Sequence, residues 1–405
     1  MKLWITTVLG ILIGTLAALF IPLGESGHEL LIKYSGLALN IGRYVIFPLV
    51  FFSLSIAVCK LRREKKLIIT LLYTSVYIVG ATIVLVLIGV IMTLILSPTR
   101  IPLIVETQTI FNLSGQSNPL FLVFPQNMFT VLTGSSNILL PLYFLSFILG
   151  IVFYKDREIS EPTFNLFDSL SRILYDLNMI ITRITPVLLV FLSYSLISSI
   201  KAIADISMFK DLLLILFITS ILVIFLIYPL LLFITDRKSN PYKTLYAVTV
   251  PILTGLVSGD SFFTLSMLTR EGKENLKISR KVGAITFPLS AMFGKSGTAL
   301  VTSVSFLTIL KSYSSLEITL YQIFWVILFS ILISFTLASI PSLGAYTALY
   351  MLSTMYSQAH SGHTDSYLLI KPIVPILIGF AVMIDVATSA IVSILVSKST
   401  ALSKK

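Results

Sequence analysis

The sequence predicts an all-α polytopic membrane protein, and three observations carry that reading. Of its 405 residues, 56% are hydrophobic and only 12% are charged, where a soluble domain carries roughly 25% charged residues. Apolar stretches of about 20 residues or more recur from one end of the chain to the other. The net charge of +11 is gathered in short loops between those stretches, as expected beside a lipid bilayer and not of a nucleic-acid-binding surface. Cys59 is the single cysteine, so no intramolecular disulfide and no cysteine-based metal site is expected.

The spans follow in order. Leu3–Pro22 is longer than the apolar core of a signal peptide and precedes no small-x-small site, so it reads as the first helix. Further spans are expected near 31–59, 66–97, 120–154, 163–200 and 211–235. Three of these (31–59, 66–97 and 163–200) are longer than a perpendicular crossing needs, which predicts tilt. Pro125, Gly134, Pro141 and Gly150 break the fourth segment into short pieces. Less regular regions follow at 241–270, 279–311 and 317–356, then a last span at about 368–397. Basic clusters at Lys60–Lys66, Asp236–Lys238, Arg270–Lys281 and Lys404–Lys405 can share one face, and loops 22–30 and 357–367 carry no Lys or Arg. The positive-inside rule therefore places both termini in the cytoplasm, in a multi-pass protein of the cell's inner (cytoplasmic) membrane.

Two regions read as re-entrant hairpins. In 241–270 two apolar arms flank Ser258-Gly259-Asp260-Ser261; in 317–356 two arms meet at Ser339-Ile340-Pro341-Ser342-Leu343-Gly344. Pro and Gly at such a tip break the helix where it must turn; two kinked spanning helices are the alternative. Each hairpin precedes a span, an order that suggests the inverted repeats of secondary transporters, whose broken helices bind substrate near the midplane.

The charged residues at depth mark the site. Phe293-Gly294-Lys295-Ser296-Gly297-Thr298 lies inside an apolar run. An intramembrane lysine is a functional-site hypothesis by default, and the glycines weaken the helix there. Asp385 sits deep in the last span, on one face with Thr388, Ser389, Val392 and Val396. It needs a cation: Lys295, in a fixed ion pair tying two helices, or a substrate amino group. Asp260 is either a solvated loop acid or a gating or proton-binding group. Arg43 and Arg183 are weighted toward snorkelling structural roles. Gly294-Lys295-Ser296 matches the end of a P-loop, but Leu289 stands where that motif needs glycine and no strand precedes it, so an ATPase is excluded. No nucleophile–base set and no metal cluster is visible, so neither an enzyme nor a cofactor is expected; His28, His360 and His363 fit no metal spacing.

Phe287-Pro288-Leu289 through Gly297-Thr298-Ala299-Leu300 resembles the seventh-helix signature of the dicarboxylate/amino acid:cation symporters, F-x-L-P-L-(x)-A-x-x-N-M-D-G-T-A-L. The likeness extends to the span spacing, the basic loop after the second span, the fragmented fourth segment and both hairpins. It implies a glutamate-transporter-like elevator fold: eight transmembrane helices, two re-entrant hairpins and a homotrimer. It further implies scaffold helices 1 and 2 in 1–65, transport-domain helix 3 in 66–97, and scaffold helices 4 and 5 in 98–205. The remaining transport domain is 206–405: helix 6, hairpin 1 (241–270), helix 7 (279–311), hairpin 2 (317–356) and helix 8 (368–397).

Carried over by residue, Thr298 and Asp385 match substrate-contacting positions, Ser258 falls near the serine-rich first tip, and Ile340, Pro341 and Gly344 match the second tip. Thr388 stands where acidic-substrate members carry arginine, so the substrate is expected to be a small neutral amino acid or related organic acid, with Ser389 beside it. The departures concern sodium. Asn-Met-Asp becomes Gly294-Lys295-Ser296, an asparagine and an aspartate become Val392 and Val396, and a third-helix Thr-Ser pair becomes Ala81-Thr82. Apolar side chains cannot replace hard oxygen ligands, though backbone carbonyls of Ser334 and Leu337 remain available for one ion. The economical reading is that the Lys295 ammonium occupies the volume vacated by sodium, giving sodium-independent transport, with Lys295, Asp260 and Asp385 as candidate proton carriers. The alternatives are a sodium-coupled dicarboxylate or acidic amino acid symporter, and a receptor or channel that keeps the fold.

Overall fold

The computed structural model describes residues 3–21, 25–102, 131, 139–155, 157–203, 205–235, 237, 240–313, 318–360 and 364–402, and no β-strand occurs among them. Helices α1 (Leu3–Phe20), α2 (Glu25–Arg43), α3 (Ile46–Arg63), α4 (Leu67–Leu96), α5 (Leu139–Lys155) and α6 (Arg157–Lys201) come first. Next are α7 (Lys210–Leu222), a π-helical turn at Val223–Ile227, and α8 (Tyr228–Thr235). Then follow α9 (Pro241–Ser258), α10 (Ser261–Glu274), α11 (Arg280–Phe293), α12 (Ser296–Tyr313), α13 (Leu320–Thr336), α14 (Gly344–His360) and α15 (Val374–Leu402).

Seven stretches among the described residues are long and apolar enough to cross a membrane. The 17-residue α5 stands within the expected fourth segment; Pro125 and Gly134 of that segment lie outside the described residues. The expected hairpins are present as helix–turn–helix pairs, α9–α10 and α13–α14. The expected 279–311 span is broken between Phe293 and Ser296, at Gly294-Lys295.

Two features are not in the sequence reading. The second span divides at Tyr44-Val45. Pro48, in the first turn of α3, has no N–H for the Tyr44 carbonyl, and its ring would clash with that carbonyl in a continuous helix. The π turn at Val223–Ile227 has the same origin, since Pro229 stands four residues beyond the Phe225 carbonyl.

The interior is built around α11, α12 and α15, with Val301, Val304, Leu307, Ile384, Ala390 and Val396 fully buried. Hairpins α9–α10 and α13–α14 and helix α4 pack onto these helices. Apolar side chains on outer faces, such as Ile68 and Ile95 of α4 and Leu320 and Phe324 of α13, are exposed, as lipid-facing positions are. At one end, Lys60 and Arg172 pair with Asp168, Lys281 pairs with Glu64, and Lys66 donates to the Thr400 carbonyl. Two of the basic clusters, Lys60–Lys66 and Arg270–Lys281, thus meet. At the other end, Lys311 donates to Ser97 and the Thr99 hydroxyl to Asp211.

Small residues set the α1–α6 crossing. A Cβ on Gly14 would overlap Ser193 Oγ and the Val190 carbonyl, and one on Gly10 would overlap the Pro186 carbonyl. Helices associating in lipid approach closely through such residues. Gly36 and Gly80 have open space instead. Gly14→Ala is therefore expected to cost ~1–3 kcal/mol, and Gly36→Ala or Gly80→Ala to be neutral or stabilising by up to ~1 kcal/mol. Thermal unfolding in detergent checks the contrast; equal shifts for all three would refute the close crossing.

Candidate functional site

Five places converge: the tip of α9–α10, the tip of α13–α14, the α11/α12 break, the middle of α15, and the C-terminus of α2. Broken helices at membrane depth leave backbone groups that only protein or a water-filled cavity can satisfy. The observed partners do this in pairs.

Asp385 satisfies the start of α12. Its Oδ1 accepts from the backbone N–H of Gly297 at 2.6 Å and of Thr298 at 3.1 Å, and its Oδ2 accepts from Thr298 Oγ1 at 2.7 Å. A carboxylate at a helix N-terminus also complements the macrodipole. Gly297 is needed for the approach: a Cβ there would lie 2.5 Å from both the Ala381 carbonyl and Ile384 Cβ. Thr298 in turn faces the second hairpin: a Cβ added to Gly344 would sit 3.7 Å from Thr298 Cγ2.

Lys295, 2% exposed, donates from Nζ to Ser261 Oγ at 2.6 Å. No ion pair joins Lys295 and Asp385 among the described residues, so the fixed helix-to-helix ion pair weighed in the sequence reading is not the arrangement. The Ser261 N–H donates to the Pro341 carbonyl at 2.9 Å, which joins the two hairpin tips. Ser258 Oγ accepts from the Asp260 N–H at 3.3 Å. Ser261 thus connects Lys295, the first tip and the second tip, a role absent from the sequence reading.

Asp260 is fully buried, which excludes a solvated loop acid. Its carboxylate is bidentate to Arg43: Nε donates to Oδ1 at 3.0 Å and Nη2 donates to Oδ2. Oδ1 also caps α10 by accepting from the Phe263 N–H at 2.6 Å. Arg43 is 9% exposed near the middle of a 35-residue span, so it does not snorkel. Arg183, by contrast, is exposed on the face of α6.

Thr388 shares a 2.5 Å hydrogen bond with the Tyr228 hydroxyl, and its Oγ1 donates to the Ile384 carbonyl at 2.8 Å. Tyr228 opens α8 directly after the π turn, so Pro229 helps to set its position. Ser389 Oγ donates to the Asp385 carbonyl at 2.9 Å. Val392 and Val396 are buried and apolar. The Thr82 hydroxyl is spent on the Ile78 carbonyl of its own helix at 2.9 Å. The positions matched to sodium ligands thus offer hydrocarbon, the hydroxyl of Thr82, the hydroxyl of Ser296 (which donates to the Gly294 carbonyl at 3.4 Å) and an ammonium. No group of three or more His, Cys, Asp or Glu residues that could hold a metal occurs among the described residues; His363 lies outside them.

The geometry is that of a polytopic protein with two hairpin tips meeting at a broken helix, and the family comparison agrees. The chain belongs to the sodium:dicarboxylate symporter family, whose model matches residues 3–399. That family comprises transporters, not enzymes. Among similar proteins, an excitatory amino acid transporter of Onchocerca volvulus is 32% identical over 127 residues, 31% of this chain and 25% of that protein. Excitatory amino acid transporter 3 of Oryctolagus cuniculus is 26% identical over 211 residues, 51% of this chain and 39% of that protein. Excitatory amino acid transporter 2 of Mus musculus is 28% identical over 216 residues, 53% and 37% respectively. The matches thus span a quarter to two fifths of these relatives' length.

Removing Asp385 as Asp385→Ala leaves the first turn of α12 with buried, unpartnered donors. Stability without any substrate is expected to fall by about 2–3 kcal/mol, and less for Asp385→Asn, which keeps an acceptor oxygen. An unchanged unfolding temperature for the alanine variant would show that the cap carries no energetic weight.

Proposed function

We propose that the chain is a secondary transporter for a small neutral amino acid or related organic acid, and that it works without sodium. The observation that carries this reading is the buried Lys295 ammonium at the α11/α12 break, bonded to the first hairpin tip. Formal charges in the site cancel: Arg43 against Asp260, and Lys295 against Asp385 as the remaining buried pair of opposite sign. A site already neutral needs no recruited cation to accept a net-neutral zwitterion, whereas an added unpaired charge at this depth would cost several kcal/mol. A covalently attached ammonium gives no coupling to a sodium gradient.

Asp385 is the acceptor for a substrate amino group, shared with its capping role, and Thr298, Ser258, Pro341 and Gly344 border the same volume. Thr388 and Ser389 face it from α15. Residues 66–97 and 206–405 form the moving part, and residues 1–65 and 98–205 the scaffold of a homotrimer in the inner membrane, with both termini cytoplasmic. The coupling is then by protons, by exchange or by none, with Lys295, Asp260 and Asp385 as the titratable groups. The second reading, a sodium-coupled symporter for dicarboxylates or acidic amino acids, is favoured by the family's name; Thr388 opposes it, because its hydroxyl is held by Tyr228 and cannot neutralise an acid.

In proteoliposomes at equal pH, uptake of labelled alanine and serine is expected to be saturable, to show counterflow, and to be the same with or without a sodium gradient. Clear sodium stimulation overturns the proposed role of Lys295, and absence of counterflow overturns carriage itself. Lys295→Met leaves the buried Asp385 charge unbalanced and is expected to lower uptake by about tenfold or more.

Thr388→Arg breaks the Tyr228 hydrogen bond and supplies a guanidinium. Competition by aspartate and glutamate is expected to strengthen by roughly 10- to 100-fold relative to alanine. Unchanged selectivity would mean that Thr388 does not face the substrate.

A further inference from the structure

The contact between α2 and the first hairpin has a role that transport through the site does not by itself require. Two consecutive residues at the end of α2 hold two residues at the start of α10. Gly42 receives the Phe263 ring so closely that a Cβ would overlap it. Phe263 is fully buried in a small apolar cluster with Ala38, Leu188, Leu189 and Leu192, separate from the main core. Arg43, the next residue, forms the bidentate pair with Asp260. The flat apolar socket alone would dock the hairpin. A buried ion pair adds little net stability, because two desolvation penalties offset its attraction. It does add position: the planar guanidinium fork fixes distance and angle at once.

That position matters because Asp260 precedes Ser261, whose hydroxyl accepts from Lys295 and whose N–H reaches Pro341. The hydrogen bonds of the Arg43 side chain go to Asp260, while the tip it holds bonds to both Lys295 and Pro341. Its location at a helix end follows from Pro48, which stops α2 and leaves the Arg43 charge beside a helix C-terminus, where a cation is favoured.

We propose that Arg43 is a positioning residue, acting through Asp260 as a latch that fixes the first hairpin tip against α2, and that this pair parts each time the hairpins move past α2. The inference rests on the reading that residues 206–405 move against the first helices. While the latch is closed, the Ser261 hydroxyl stays aimed at Lys295 and its N–H at the second tip. When it parts, the tip leaves the Gly42 socket and the joined hairpins travel together.

The test uses the full chain in lipid nanodiscs and needs no substrate. Asp260→Asn keeps an oxygen to cap α10 while removing the charge, so Arg43→Met, Asp260→Asn and the double variant form a cycle. Arg43→Met alone is expected to lower the unfolding temperature by stranding the Asp260 carboxylate, and the double variant to recover most of that loss. Hydrogen exchange of residues 258–264 is expected to speed up in the double variant by roughly three- to a hundredfold, although its unfolding temperature is near that of the parent. Arg43→Lys, with the charge but not the fork, should fall between. A double variant that exchanges at the parent rate overturns the latch. If the double variant does not fold, Arg43→Lys decides: parental exchange overturns the latch, faster exchange at parental unfolding temperature supports it. A second arm places cysteines at 43 and 260 with Cys59→Ser and joins them by a reducible bis-methanethiosulfonate spacer. Slower exchange when joined than when reduced supports movement of the tip away from α2. No difference overturns both the latch and the moving-hairpin reading; slower exchange when joined, with parental exchange in the double variant, overturns the latch alone.

Discussion

The hydrogen bonds from the first turn of α12 to the Asp385 carboxylate are the contacts on which the rest of the site depends. A helix interrupted within a bilayer exposes donors that lipid cannot meet. Gly294 interrupts the helix, and Asp385, 88 residues beyond Gly297, accepts from Gly297 and, with both oxygens, from Thr298. This fixes α12 against α15 at the spacing that Gly297 permits. Thr298 is thereby turned toward Gly344, and the second hairpin acquires a surface to close on. An acid read from sequence as a ligand group is therefore also the cap that lets the helix be broken.

The same break explains where Lys295 can go. With Asp385 directed at the backbone of α12, the ammonium one turn earlier takes the Ser261 hydroxyl. Burial of a cation with one short hydrogen bond and two acids nearby is tolerable only if the local field remains close to neutral. Arg43 contributes to that neutrality by cancelling Asp260. Without Arg43, Asp260 would be a second buried anion beside the ammonium, and the charge balance of the site would depend on ions drawn from outside. The four charges are thus one electrostatic arrangement, though they come from four separate places: the end of α2, the first hairpin tip, the α11/α12 break and the middle of α15.

What the sequence made legible was local. Pro341 and Gly344 marked the second hairpin tip, Gly259 the first, and Gly294 the break in the seventh span, because each residue type constrains its own backbone. Helix spans followed from composition, and the basic stretches around Lys60–Lys66 and Arg270–Lys281 meet at one end. Pairings did not follow. Arg43 and Asp260 are 217 residues apart, and Tyr228 and Thr388 are 160 apart; no periodicity connects them. Arg43 departs from expectation for a physical reason: snorkelling is the default of an arginine near an interface, but here the helix ends beside it at depth, against Asp260. Pro48 and Pro229 were the signals within reach, since each removes a donor and crowds the carbonyl four residues back.

Adjacency along the chain then does what no single side chain could. Asp260 and Ser261 are consecutive, and α10 begins between them. One peptide unit therefore joins the Arg43 carboxylate partner to the hydroxyl held by Lys295 and to the N–H held by Pro341. A displacement of this unit by a few ångströms along α2 exceeds the length tolerance of any of these hydrogen bonds. The tip consequently cannot change its relation to α2 while leaving the site unaltered, unless Lys295 and the second hairpin move with it. Rigid joint motion of the two hairpins with the α11/α12 break would preserve both bonds of Ser261 and give up those at the boundary: Arg43 to Asp260, Asn178 to the Ser266 carbonyl, and Arg270 to Thr182. In such a motion the bonds that part lie at the boundary with α2 and α6, while those around Ser261 stay intact.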